Sequence, residues 1–272
     1  NTVITQICAD ALGLPVAVFE LVGPDTALTP DCGKTSASRQ TFVTGNAALA
    51  SGKVLRQSIL RLANMSDAAE LALVGGVLSA SEGGRSQKID LASMPADDHG
   101  YVIAAEETYD PPTAPQDANG QGVPYAIYGY GAQIAEVEVD LALGVAKVLK
   151  VTAAHDLGRV INPLLAEGQI EGGVAQGLGL ALMEEYLPGR TENLHDYLIP
   201  TTGDMPHIES ILVEKPDPEG PMGARGLGEH VLIPTAPAIF NAIRHASGAE
   251  IDFAPALPHR IRVAIKLKEE QS

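Results

Sequence analysis

Apolar positions recur at helical spacing over residues 2 to 12, where Val3, Ile4, Ile7, Cys8 and Leu12 share one face, and Gly13 with Pro15 ends the pattern. The VAVFELV that follows reads as a strand. Next comes GPDTALTPDCGKTSASRQTFVTGNA, a polar loop dense in small residues, and then a helix from about Ala47 to Ala63. Loops of that length inside compact domains usually carry function. Residues 66 to 108 predict a short helix over Ala68 to Leu73 and a strand over Val102 to Glu106.

The second half has the clearer patterns. IAEVEVDLALGVAKVLKVTAAHD alternates apolar and polar positions on both sides of Gly144, which predicts a β-hairpin. NPLLAEGQIEGGVAQGLGLALMEEYL reads as a helix with Asn162 at the N-cap and Pro163 in the first helical position. Its interior glycines, Gly168, Gly172, Gly173, Gly177 and Gly179, each weaken a helix by roughly 1 kcal/mol relative to Ala, so something must approach the backbone closely, either a neighbouring element or a ligand. A helix over Pro234 to Ala246 and a strand over Arg260 to Leu267 complete an α+β arrangement. The Pro- and Gly-rich DPPTAPQDANGQGVP, residues 110 to 124, marks the expected boundary, giving domains 1–115 and 116–272.

Length and composition agree with that division. The 272 residues, 45% of them apolar, suffice for one large or two smaller domains, and 28 Gly with 19 Pro fit a turn-rich globular chain. The net charge of −16 would repel a nucleic-acid backbone or an anionic bilayer, and no apolar run approaches a membrane span, so neither partner is expected. The chain reads as soluble and cytoplasmic. Its two cysteines, Cys8 and Cys32, are too few to ligate an iron–sulfur cluster and read as reduced thiols in or near the core.

Several familiar chemistries lack their residues. GYGAQI and GLGLAL begin as GxG but lack the third glycine of a dinucleotide fold, and no glycine run leads into Lys-Ser or Lys-Thr. There is no HExxH and no GxSxG, and His155 and His195, each before an Asp, read as surface or loop histidines. What remains is a set of loops rich in neutral donors, GKTSASRQ, GQIEGG, AQGLG and GARGLGE, able to cradle a phosphorylated cofactor without a cluster of cations. In the last of these Glu229 stands before an apolar segment of helical spacing and reads as an acid at a helix N-terminus.

In this order the loops resemble the C-terminal part of the molybdopterin-binding large subunit of the molybdenum hydroxylases, the xanthine dehydrogenase and aldehyde oxidoreductase family. TSASRQTFVTGNA resembles the family's small-residue loop and following helix. YGAQIAEVEVDLALGVAKVLKVTAAHDLGRVINPLLAEGQIEGGVAQGLG resembles its hairpin, its Asp-x-Gly-x-x-x-Asn-Pro turn and its Gly-Gln helix. YLIPTTGDMP and ARGLGEHVLIPTAPAIFNAI resemble its closing signatures, and residues 64 to 100 match least.

The resemblance implies two molybdopterin-binding subdomains with mixed sheets and packed helices. It implies a molybdopterin cytosine dinucleotide cofactor whose molybdenum, with a sulfido or selenido ligand, is held by the pterin dithiolene and by no protein side chain. Cofactor contacts carried over are Thr35, Ser36, Ala37, Ser38, Arg39 and Gln40, then Gln169, Leu227 and Gly228, with Glu229 as general base. The implied reaction is hydroxylation of an N-heterocycle, purine or nicotinate-like, or of an aldehyde, with oxygen from water. Other readings are thioester-linked ring reduction, carbon monoxide oxidation, or a non-catalytic scaffold half of such a complex. The family's Gly-Gln-Gly region is not in this sequence, so the chain is expected to be a truncated or split subunit, as in the nicotinate dehydrogenase-like members. Its expected partners are an N-terminal half or second molybdopterin subunit, an iron–sulfur subunit and an FAD subunit.

Overall fold

The structure, a computed structural model, describes residues 1–270. The chain forms two compact units, Asn1–Ile127 with Pro216–Arg225, and Tyr128–Lys215 with Gly226–Ser272. Helices with a mixed sheet make the chain α+β.

The first unit pairs helices α1 (Thr2–Leu12) and α2 (Gln40–Ala63) with an antiparallel meander of β1 (Glu70–Val74), β2 (Val77–Glu82) and β3 (Arg85–Asp90). Leu12, Ile59 and Leu60 from the helices meet Leu71, Leu78 and Ala80 from the sheet in one apolar core. The helix expected over Ala68 to Leu73 is instead β1. Gly75-Gly76 and Gly83-Gly84, all at positive φ, close both hairpins, because two-residue turns that match strand twist need φ > 0 at both positions. The strand expected at VAVFELV is also absent: Val16–Val18 form a 3₁₀ turn, and no strand among the described residues pairs with the exposed Leu21 and Val22. Val102 to Glu106 form no strand either, although Ile103 packs on the core. Residues 216–225 return to this unit. Pro221 seats against Gly45, where a Cβ would stand 2.9 Å from its ring, and Asn46 donates to the Glu219 carbonyl.

In the second unit the predicted hairpin is β4 (Tyr130–Asp140) and β5 (Val145–Asp156), and β6 (His207–Val213) adds parallel to β5 after helix α3 (Pro163–Leu182). Ala135, Val137 and Val139 turn inward at strict alternation along β4. A bulge opposite Glu136 and Val137 brings both Val148 and Val151 of β5 to the core, although three positions separate them. The Asn162 carboxamide oxygen accepts from the Leu165 amide and caps α3, with Pro163 in the first turn. Helix α4 (Thr235–Ser247) ends at a left-handed Gly248. The expected strand over Arg260 to Leu267 is instead helix α5 (Pro258–Glu269), burying Ile261 and Ile265 and leaving Val263 and Leu267 outside.

The glycines of α3 divide into two faces. A Cβ on Gly173 would stand 2.6 Å from the Val231 side chain, and one on Gly177 2.3 Å from Thr235 Cβ, so these two create the seat for residues 231–235. Cβ atoms on Gly168 and Gly172 would meet nothing within 4 Å. Both readings of the glycine-rich helix therefore have a place, packing on one face and open approach on the other. Gly177→Ala is expected to destabilise the fold by about 1–3 kcal/mol through overpacking. Gly172→Ala should be neutral or stabilising by up to about 1 kcal/mol, as helix propensity dictates. Urea unfolding of the two variants side by side checks the contrast.

Candidate functional site

The residues singled out by sequence fall in two places, each within one unit. In the first unit, Thr35 to Gln40 form the turn that leads into α2. Ala37 and Ser38 both adopt left-handed backbone, with φ of 54° and 51°, a conformation that costs of order 1–3 kcal/mol per non-glycine residue. Such strain at consecutive positions is kept where the backbone itself has work to do. Arg39 turns back on its own loop, its Nη1 donating to the carbonyls of Cys32 and Lys34 at 3.0 Å, and Gly33 leaves room for it. Gln40 donates to the Thr35 hydroxyl at 3.1 Å and accepts from Thr44. The loop is therefore braced from within while Thr35 and Ala37 stay exposed. Cys32 is exposed and Cys8 half-buried, so the expectation of core thiols fails for Cys32, which the polar loop carries outward.

In the second unit, Gln169 projects from the exposed face of α3 beside Gly168 and Gly172, one turn before the Gly173 seat. Leu227 is buried, whereas Gly228 and Glu229 are exposed. Glu229 does not stand at a helix N-terminus, as the sequence suggested. Residues 228–234 form successive turns, with the Leu232 amide on the Glu229 carbonyl and the Thr235 amide on the Leu232 carbonyl, and α4 begins only at Thr235. Pro234 explains the delay: it suits a helix start but disfavours helical backbone in the residue before it.

Under this turn lies a polar cluster that sequence reading missed. The Gln133 amide donates to the Val231 carbonyl at 2.8 Å and approaches His155 Nε2 at 3.2 Å, while the Thr235 hydroxyl donates to Gln133 Oε1 at 2.7 Å. With the amide oxygen taken by Thr235, His155 Nε2 must accept, which puts the ring proton of neutral His155 on Nδ1. His230 tilts over His155, ring centroids 5.1 Å apart at 43°. Among the described residues, neither His155 Nδ1 nor His230 Nε2 has a hydrogen-bonding partner. His155 is thus a fully buried residue of β5 and not the surface histidine expected, while His195 is exposed as expected. The room comes from the GYG that leads into β4: a Cβ on Gly129 would stand 2.5 Å from His230 Nδ1, and one on Gly131 2.3 Å from His155 Nδ1.

Burial, with the neighbouring His230 adding to it, pushes the His155 pKa down from 6.5 to about 4. Burial lowers that of His230 as well, against the opposing pull of Asp156.

The donor set fits a large polar cofactor: exposed neutral donors on the 35–40 loop, and an open glycine face beside the Gln169 amide where a Cβ would meet nothing. Among the described residues no three His, Cys, Asp or Glu side chains stand together to hold a metal ion, and no helix is long and apolar enough to cross a membrane.

The fold carries two donor-lined places that suit a large polar cofactor, and comparison with known proteins says of which class. The molybdopterin cofactor-binding domain family matches residues 1–206, and the chain belongs to it. It is 32% identical over 276 residues to the xanthine dehydrogenase molybdenum-binding subunit of Escherichia coli O157:H7, covering 96% of this chain and 35% of that protein. It is 33% identical over 280 residues to the 6-hydroxypseudooxynicotine dehydrogenase complex subunit gamma of Paenarthrobacter nicotinovorans, covering 96% and 34%. Among solved structures, aldehyde oxidoreductase from Desulfovibrio gigas superposes with a TM-score of 0.77 at 30% identity, covering 97% of this chain and 27% of that one. The chain spans about a third of the length of the curated relatives it matches.

The buried imidazole makes a pH prediction. The unfolded chain takes up a proton on His155 below pH 6.5 and the folded one only near pH 4, so stability is full above 6.5 and falls as pH drops from 6.5 to 4. The loss attributable to this group is about 3 kcal/mol. Unfolding free energies measured across that window should show the slope in the native chain and a shallower one in His155→Gln.

Proposed function

We propose that this chain forms the base-bearing, cofactor-holding part of a molybdenum hydroxylase that inserts water-derived oxygen into an N-heterocycle, purine or nicotinate-like, or into an aldehyde. The observation that carries the reading is the placement of Glu229. Glu229 is an exposed residue in a turn whose flanks, Leu227 and Val231, are buried, and whose heel rests on the glycine seat of α3. A general base needs a fixed position before it needs a tuned pKa, and this arrangement supplies one.

The net reaction converts a carbon–hydrogen bond and water into a carbon–hydroxyl bond, two electrons and two protons. Bound molybdopterin, proposed to be the cytosine dinucleotide form with a sulfido or selenido ligand on molybdenum, supplies the two-electron redox chemistry. Glu229 accepts the proton lost from the water-derived hydroxyl as its oxygen attacks the electron-poor carbon. Gln169, Leu227 and Gly228 on the second unit, and Thr35, Ser36, Ala37, Ser38, Arg39 and Gln40 on the first, are the proposed cofactor contacts, Ala37 and Ser38 through their left-handed backbone. Arg39 serves by bracing the loop that presents the others.

The relatives support the assembly. One is described as a subunit of a dehydrogenase complex and another as a molybdenum-binding subunit, consistent with partner chains that contribute the rest of the molybdopterin site, iron–sulfur centres and FAD. Two cysteines could not carry the two electrons away through a cluster ligated by this chain alone.

Glu229→Gln keeps the shape of the turn and removes the proton acceptor. In the assembled complex it should leave molybdenum and nucleotide content unchanged and lower turnover by roughly 10²- to 10⁴-fold. Full turnover would remove Glu229 from the mechanism. Gln169→Ala should lower molybdenum per protein without changing the unfolding midpoint, because its side chain is exposed. Unchanged metal content would exclude it from the cofactor site.

A further inference from the structure

We propose that His155, which contacts Gln133, and His230, whose ring packs over His155, are positioning residues that hold the Glu229 turn in place while neutral and release it when protonated. The proposal rests on the reading of Glu229 as the base, but its first measurement does not depend on turnover.

His230 follows Glu229 directly in the chain, yet the two side chains part company: Glu229 is exposed, while His230 packs over His155 with its Nε2 buried. The turn is therefore fixed one residue after its carboxylate. The second tie is the Val231 carbonyl, held by the Gln133 amide, whose other proton goes to His155 Nε2. His155 Nε2 is an acceptor in this network, so a proton there would put two donors face to face and break the contact with Gln133. Gln133 would then lose the partner that orients it toward Val231 and Thr235, and the turn would lose its floor.

The surroundings make the neutral state the one the fold requires. Each imidazolium would face the other ring across 5.1 Å. The charged group that favours protonation is Asp156, next to His155 at the end of β5, and it acts on His230. The other elements packed here bring uncharged groups: Gly129, Gly131 and Gln133 from the β4 segment, Thr235 from α4, and the Gly173 and Gly177 seat from α3. Glu229 is an exposed residue of the same turn and the other charged group close in sequence.

Hydrogen–deuterium exchange of a peptide spanning residues 226–235, in the assembled complex and corrected for intrinsic exchange, tests this at about pH 7.5 and about pH 5. In the native complex, protection should fall at least about tenfold at the lower pH with molybdenum content unchanged, as proton uptake linked to local opening requires. In His155→Gln, where His230 alone still titrates, the acid loss of protection should be at least about threefold smaller over the same interval, and the acid limb of turnover should move to lower pH. Equal protection of the native turn at both pH values would overturn the proposal, as would the same acid loss in His155→Gln. The native arm decides by itself if the substituted chain does not accumulate. If protection behaves as expected but Glu229→Gln retains turnover, the base reading fails and the positioning of the turn stands.

Discussion

The contact on which the second unit depends is the meeting of two helix glycines with the segment that follows Glu229. Gly173 and Gly177 lie one turn apart on α3, and the side chains of Val231 and Thr235 occupy the volume their Cβ atoms would fill. Such close approach has an entropic cost in the helix, since glycine is its weakest ordinary member. In return the chain gains a firm heel: Val231 and Thr235 are wholly buried, and the turn that carries Glu229, two residues before Val231, is anchored by them.

A second layer makes the heel specific. Buried polar groups are tolerated when hydrogen-bonded, and Gln133 satisfies three of them at once by joining Val231, Thr235 and His155. The alternation that turns Ala135, Val137 and Val139 to the core puts Gln133 on the same face, and the phase of Val151 and Ala153 carries His155 inward on the neighbouring strand. The glycines of GYG then explain themselves without any nucleotide motif, as the space two imidazoles need.

Much of this frame was legible in the sequence, for physical reasons. The hairpin around Gly144, the capped α3 and the first helix follow from local signals that agree with their tertiary use. The misreadings arise where one pattern serves two periods or where propensity lacks a partner. Ile261 and Ile265 satisfy strand alternation and the i, i+4 helix spacing alike, and Pro258 in the first turn with Lys266 and Lys268 in the last were the helical cues that decided α5. VAVFELV has strand composition but no strand to pair with among the described residues. Gly75-Gly76 and Gly83-Gly84 were the cues for the β1–β3 meander. For the site, the donor loops and Glu229 could be read from the residues together with the family resemblance. The His155, His230 and Gln133 cluster could not, because it joins strands and a turn far apart in sequence; the one available hint was that His155 falls in phase with the buried positions of its strand.

The chain belongs to a family named for its molybdopterin cofactor, and its own geometry divides the labour in a way that suits one. Backbone and neutral donors are turned outward, a glycine face stays open beside Gln169, and one carboxylate is held on a rigid turn. The most direct test is an experimental structure of the complex loaded with its cofactor. The account predicts the Glu229 carboxylate within hydrogen-bonding reach, about 3 Å, of a ligand of the metal, and the Gln169 amide in contact with the cofactor. A cofactor bound away from both residues, with Glu229 still facing solvent, would contradict it.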